Sequence, residues 1–375
     1  MVIWVVGRNY PLPDNDMQGS FELEQAKMLA RYGNDVHYIA CSLHPIKKIK
    51  GSGFKSWDDE GVKVTVLSAF FAPRVYPFYF VKGRNKHWTR LFSEVEKKSG
   101  TPDVIHVHYP AMLMIADLLG RYHERGVHIV ATEHWTKVLR KKLDSIELKE
   151  YKKYCKVLDK ILCVGSPLKN SVKELMGMDA DLVPNIVNAL FRPSDKPHEG
   201  FRFVAVGRLV KLKQFDKVIE AFCDCFLGQK NITLTIIGNG EEKDNLKHII
   251  NIRQAEDQVQ LLGSQSREKT AELVSNSDNL ICYSLFETFG VPIIEAWACG
   301  LTTTATSTAA AVIDNYDERL GVVVDHRNIE SLKMGLHYVR EHKDEYNKQF
   351  IIDYTKSRFS EAAIYKRLMS IYLSL

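Results

Sequence analysis

The 375-residue chain has no uninterrupted apolar run of the roughly 18 residues that a membrane-spanning helix requires. Its opening, MVIWVVGRN, is too short for the apolar core of a signal peptide and has no basic leader, so it reads as a buried strand. None of the seven cysteines forms a CxxC pair, which argues against a structural zinc site. Free, reduced thiols of a cytosolic protein are the plain reading, and Cys223-Asp-Cys225 on a helix would point its two side chains apart. Neither half carries G-x-G-x-x-G. Gly7 stands alone, and Gly238-Asn239-Gly240 lacks a third glycine, so nicotinamide or flavin chemistry loses its main support.

What is present describes a globular protein with a substantial core, 45% hydrophobic and 26% charged, long enough for two domains. Residues 1–196 carry 30 Lys and Arg against 22 Asp and Glu, a net +8, whereas the remainder has 21 against 24, a net −3. The basic half suits an anionic partner or membrane surface, with a solvated lysine-rich face as the plain alternative. No nucleic acid is expected as a partner. Apolar, β-branched runs such as VIWVVG, VHYIAC, DVIHVH and KILCVG alternate with helical segments, and the pattern restarts at FRFVAVGRL (201–209). VPNIVNALFRPSDKPHEG, with three prolines, reads as the linker between the halves. The fold class expected is therefore α/β, two tandem Rossmann-like doubly wound domains, with ligands outside the carboxyl ends of the strands and in a cleft between domains.

Two stretches carry candidate chemistry. In ETFGVPIIEAWACG (287–300), two glutamates eight apart would sit about 80° from each other on one continuous helix. Pro292 and Gly300 instead predict a helix beginning near the proline and ending at the glycine. Glu287 then lies in the preceding loop and Glu295 in the first turn, where both approach the helix N-terminus. Carboxylates suit sugar or ribose hydroxyls, and the amides of Phe289, Gly290 and Val291 suit a phosphate. The alternative is that Glu295 complements the helix dipole and Glu287 is solvated. In GRLVKLKQ (207–214), Arg208 and Lys213 follow a strand end and suit a diphosphate.

These stretches, with VPNIVNALFRP, FVAVGRLVKLKQFDKVIEAF and LTIIGNGEEKDNL in the same order, resemble glycosyltransferase family 4, retaining enzymes of the GT-B fold. MQGSFELEQAKMLARYGNDVHYIA, PDVIHVHYP and IVATEHW look like that family's first domain, and SRFSEAAIYKRLMSIY resembles its closing helix. The resemblance implies an acceptor-side domain over 1–195, with 357–375 packing back on it, and a donor domain over 196–356. It also implies that Glu295 binds the donor ribose and Glu287 the transferring sugar. Arg208 and Lys213 would hold the diphosphate, His134 would meet the donor sugar, and Gly19 would let the loop approach a phosphate or acceptor. His106 and His108 of DVIHVH are expected on opposite faces of their strand, with His108 the one nearer a ligand. No metal is implied, and Asp14-Asn15-Asp16 reads as a decoy of the D-x-D type.

The expected partners are a nucleotide-sugar donor and a glycan or lipid-linked acceptor, as in polysaccharide or glycolipid assembly. The expected location is cytoplasmic, with peripheral contact to anionic membrane. FFAPRVYPFYFVKGRNKHWTR (70–90) interleaves aromatics with cations, and LRKKLDSIELKEYKKYCK (139–156) is a second basic run. Either suits anionic lipid or a lipid diphosphate, and the first also reads as a loop over the acceptor or as plain core and surface. Gln18-Gly19-Ser20 replaces the family's Gly-Gly, PNIVN its usual turn, and LTTTATSTAA a proline-valine stretch. A hydrolysing sugar-nucleotide epimerase of the same fold and a non-catalytic sugar-nucleotide-binding protein are the competing readings.

Overall fold

A computed structural model describes residues 1–12, 18–44, 53–70, 77–194 and 196–375. The chain divides into two compact units, Met1–Ile186 with Ile364–Leu375, and Val187–Ala363.

The first unit holds an eight-stranded sheet among the described residues. Its strands are β1 (Val2–Gly7), β2 (Asp35–His44), β3 (Gly53–Asp59), β4 (Val62–Phe70), β5 (Val104–His108), β6 (His128–Glu133), β7 (Lys160–Cys163) and β8 (Asp181–Leu182). They lie in the order β3-β4-β2-β1-β5-β6-β7-β8. All neighbours are parallel except β3 and β4, a hairpin whose two-residue turn, Glu60-Gly61, has positive φ at both positions. That geometry matches the twist of the strands, and glycine adopts it freely. β3 was not legible as a strand because it is an exposed edge with few apolar residues, GFKSWDD. The buried strand β1 carries a near-continuous apolar run, as a sheet covered on both faces requires.

The second unit has six parallel strands in the order β11-β10-β9-β12-β13-β14. They are β9 (Phe201–Val206), β10 (Ile232–Ile237), β11 (Val259–Gly263), β12 (Asn279–Cys282), β13 (Thr302–Thr306) and β14 (Gly321–Val324). The threonines of β13 are buried and tied down. Thr302 and Thr304 bond to the Asn279 side chain at 3.0 and 3.1 Å, while Thr306 and Thr308 both donate to Ser284 O. Hydroxyls can replace aliphatic side chains in a core only when so satisfied.

From Val187 onward the linker segment belongs to the second unit, so the boundary falls earlier than the sequence places it. Val187 N–H donates to Phe359 O at 3.0 Å, and Ser194 donates to Asn276 at 2.7 Å. The helix Lys348–Phe359 likewise stays with this unit, where Phe359 meets Phe289 and Tyr354 meets Trp297. The last helix, Glu361–Tyr372, sends Ile364, Leu368, Ile371 and Tyr372 into the core of the first unit. Together they bury enough apolar surface to fix the segment there.

Candidate functional site

In each unit the strand order reverses once, beside β1 in the first sheet and beside β9 in the second. Such switch points open a crevice outside the carboxyl ends of the strands.

At the second unit's switch point, β9 runs into Gly207-Arg208-Leu209. The Gly238-Asn239-Gly240 loop after β10 packs directly on it. A Cβ on Gly238 would stand 1.8 Å from Gly207 O, and one on Gly240 2.3 Å from Leu209 O. Those glycines therefore serve close backbone approach. Leu209 N–H donates to Asn239 O at 2.9 Å, fixing the loop. A short turn, Lys211–Lys213, follows and is locked to the β12 loop by Leu285 N–H on Leu212 O at 2.9 Å. Gln214, with φ 49, donates to Tyr283 O and His326 O at 3.1 and 3.0 Å.

This scaffold presents Lys213 to Glu287, and the two form an ion pair with side chains 22% and 15% exposed. Burial pulls the Lys213 ammonium down, but Glu287 outweighs it and leaves the group above its ordinary value. Burial, with Glu287 adding to it, pushes the neighbouring Cys282 thiol up to about 11. The Arg208 side chain is exposed and has no hydrogen-bond or ion-pair partner among the described residues. Of the two expected phosphate-holding cations, one is thus available and the other is held by a carboxylate.

The helix predicted after Gly290 spans Val291–Ala298. Gly290 is its N-cap with φ 97, and a Cβ there would come 2.9 Å from Ile293 Cδ1 and 3.4 Å from Glu287 Cγ. Pro292 has no N–H and Ile293 N–H is taken by Gly290 O, which leaves the Val291 N–H as an open donor of the first turn. Phe289 is buried, and its carbonyl accepts from Ala311 N–H at 2.8 Å.

Glu295 corrects the expectation of a first-turn carboxylate. The helix begins one residue before the proline, so Glu295 is its fifth residue and faces inward, 2% exposed. Its charge is matched by Arg267, whose Nη2 donates at 2.5 Å. Arg267 opens the helix Arg267–Ser275 behind the N-cap Ser266 and lies over the Phe191 ring at 4.8 Å. Glu295 therefore does not complement the helix dipole at an exposed end, and Glu287, paired with Lys213, does not stand solvated.

At the first unit's switch point, His134 is 7% exposed and shares a 2.9 Å hydrogen bond, Nε2 to His108 Nδ1. One ring must donate and the other accept, so the tautomer of one fixes that of the other. Burial holds both imidazoles well below their ordinary pKa, with Arg8 adding to the effect, so both are neutral. His134 Nδ1 has no hydrogen-bond partner among the described residues. His106 and His108 share one face, contrary to expectation, because residues two apart in a strand point the same way. Their rings stack at 4.6 Å. His106 is structural, bonded to Thr132 at 2.6 Å and to Tyr372 of the last helix at 2.5 Å.

Three residues join this group that the sequence reading missed. Tyr109, stacked on His134 at 4.8 Å, has φ 56 immediately before Pro110, a conformation that both its side chain and the proline disfavour. Such strain collects at functional sites. Arg8 lies 3.7 Å over the Tyr109 ring and donates Nε to the buried Glu22 at 2.9 Å. Glu133 accepts from the amides of His134 and Trp135, both at 2.9 Å, and burial still pushes its carboxyl up to about 7. The only sequence signal for all three was position at a strand end. Gly19, at φ 97, makes its close approach to the chain itself, since a Cβ would stand 2.0 Å from Asn9 O.

Asp14, Asn15 and Asp16 lie outside the described residues, as does much of 70–80. Among the described residues no three His, Cys, Asp or Glu side chains come together as metal ligands, and no helix is long and apolar enough to cross a membrane.

Comparison with known proteins extends the picture. The family model for glycosyl transferases group 1 matches residues 187–356, and that for glycosyltransferase family 4 matches 20–189. N-acetyl-alpha-D-glucosaminyl L-malate synthase of Bacillus anthracis is 26% identical over 292 residues, 74% of this chain and 72% of that protein. The GPI3 subunit of phosphatidylinositol N-acetylglucosaminyltransferase from Saccharomyces cerevisiae is 23% identical over 222 residues, 54% of this chain. The chain spans about half the length of that yeast relative, 48%. Among solved structures, sucrose-phosphate synthase of Thermosynechococcus elongatus superposes with a TM-score of 0.81 at 17% identity, covering 100% and 98% of the two chains. HepE of Anabaena in complex with UDP gives 0.75 at 14%, covering 100% of both.

Proposed function

The chain belongs to glycosyltransferase family 4 and has the GT-B fold, and from that premise we propose that it transfers a sugar, with retention of configuration, from a nucleoside-diphosphate sugar to a glycan or lipid-linked acceptor. The observation that carries the reading is the Lys213–Glu287 pair beside the unpartnered Arg208 at the β9–β12 switch point. A diphosphate entering there meets Arg208 and competes with Glu287 for Lys213. Glu287, released in part, accepts from hydroxyls of the transferring sugar, while Glu295 serves the ribose and the Val291 amide a phosphate oxygen. His134, neutral and with Nδ1 open, serves the reacting sugar.

The step breaks the bond between the anomeric carbon and the β-phosphate oxygen and forms one to the acceptor oxygen on the same face. The acceptor proton passes to the leaving phosphate. Negative charge grows on that phosphate, and two cations and a helix-end amide oppose it. The reaction so described needs no metal. Solved HepE structures hold UDP, UDP and glucose, and UDP-glucose, which supports a uridine donor for that protein and makes it the first candidate here. We assign the work to the cytoplasmic side, with the acceptor met at an anionic surface.

A thermal-shift screen of UDP, GDP, ADP and their sugars tests this, since a ligand bound only by the folded state raises its apparent stability. One nucleoside diphosphate and one of its sugars should stabilise the chain. Turnover with that sugar should persist in chelator and keep the anomeric configuration. Stabilisation by none of them would remove the donor site, and release of nucleotide with an epimerised sugar and no acceptor would replace transfer by epimerisation.

A further inference from the structure

We propose that a second site, walled by the helices Pro77–Ser99, Ala116–His123 and Ser145–Lys153 of the first unit, binds a phosphate group attached to an apolar chain. The cavity measures about 630 Å³, within the range of small-molecule sites. It contains none of the strand-end residues described above. The two basic runs that the transfer reading does not use, 70–90 and 139–156, both contribute lining residues to it despite their separation in sequence.

Its chemistry is two-sided. Val81, Leu118 and Ile146 supply apolar wall, and Lys82, Arg121, Lys149 and Lys153 supply charge. The cavity's carboxylates, Asp117 and Glu150, are both engaged by Lys153, at 2.7 and 3.0 Å. Arg121 and Lys149 have no partner among the described residues, so positive charge is in excess. Asn85 Oδ1 is buried without a hydrogen-bond partner. The accessible atom of this amide is therefore Nδ2, which can donate to an anion in the cavity as it stands. Cations, an amide and an apolar wall together select an amphipathic phosphate over a bare one.

The full chain is titrated calorimetrically with geranyl phosphate and with inorganic phosphate, and sedimented with vesicles of phosphatidylglycerol in phosphatidylcholine. Geranyl phosphate should bind saturably and inorganic phosphate far more weakly. Arg121→Gln with Lys149→Gln should weaken geranyl phosphate about ten-fold or more. Lys142→Gln with Lys152→Gln, in the same basic run but outside the cavity, should change it less than two-fold. If the first pair also loses the vesicles, the natural source is a lipid headgroup. If it keeps them, the source is a free isoprenoid-type phosphate. The absence of saturable geranyl phosphate binding, or an equal loss in both pairs, overturns the proposal. Nucleotide-induced stabilisation should be the same in both pairs, so this outcome is independent of the transfer reading.

Discussion

The two switch points place their working groups under opposite electrostatic conditions. In the second unit the groups are charged and partly exposed, with Lys213 paired to Glu287 and Arg208 open to solvent. In the first they are neutral and buried, a stack running from His106 through His108 and His134 to Tyr109 and capped by Arg8. The first arrangement suits a ligand whose charge must be met. The second suits one whose hydroxyls must be oriented, because a neutral imidazole both donates and accepts. The pairing also explains how Lys213 is stored without ligand, since an unpaired ammonium at that depth would lose part of its charge.

The contrast implies that acid attacks the first unit before the second. His37 is lowered to about 4, and His106, His108 and His134 lie well below 6.5, mainly through burial. Below about pH 6.5 the unfolded chain takes up protons that these four refuse when folded, so stability falls as pH drops through that value. Glu133 works the other way, because its folded value near 7 exceeds the unfolded one and it holds an extra proton between about 4.5 and 7. Each proton counts for up to about 1.4 kcal/mol per pH unit, and the histidines outnumber the carboxyl. Calorimetric scans at pH 7.5 and 5.5 should show the transition carrying the first unit lowered more than that of the second. Equal lowering of both would remove the distinction.

His134→Ala sharpens it next. The variant removes an oriented donor or acceptor and should cut turnover about 100-fold. Nucleoside diphosphate affinity should stay within about two-fold, and a wild-type rate would end the catalytic assignment. Lys213→Ala should behave in the reverse sense. Losing a cation and baring Glu287 should weaken nucleoside diphosphate binding by about ten-fold or more, measured by calorimetry. Glu287→Gln frees Lys213 and should not weaken that binding while lowering turnover. If Glu287→Gln loses as much affinity as Lys213→Ala, the pair is a binding unit and not a stored cation.

What was legible in the sequence follows the same line. Local signals carried through: Pro292 and Gly300 announced a helix and its two ends, and the apolar strand runs announced both sheets. Pairings across the chain did not. Nothing local joins Arg267 to Glu295, 28 positions apart, or Gln25 to His106. The shared face of His106 and His108 was legible from the two-residue period of a strand and was misjudged. β8 is two residues long and the edge strand β3 is exposed, so both fall below what periodicity detects.

The smallest expected effect tests the residue that no pattern revealed. Arg267 donates to Glu295 from a side chain 35% exposed, whereas Glu295 itself is 3% exposed. The pair is therefore partly open to solvent, which weakens its contribution. Arg267→Lys keeps the charge but loses the planar fork, so Glu295 should be held less firmly and not left bare. Nucleoside diphosphate affinity should fall about two- to three-fold, with the melting temperature little changed. If the affinity of the ribose-free probe pyrophosphate falls by the same factor, Arg267 acts on the phosphates and Glu295 is not the ribose ligand. If only the nucleotide is affected, the carboxylate eight positions beyond Glu287 has its own part of the donor to hold.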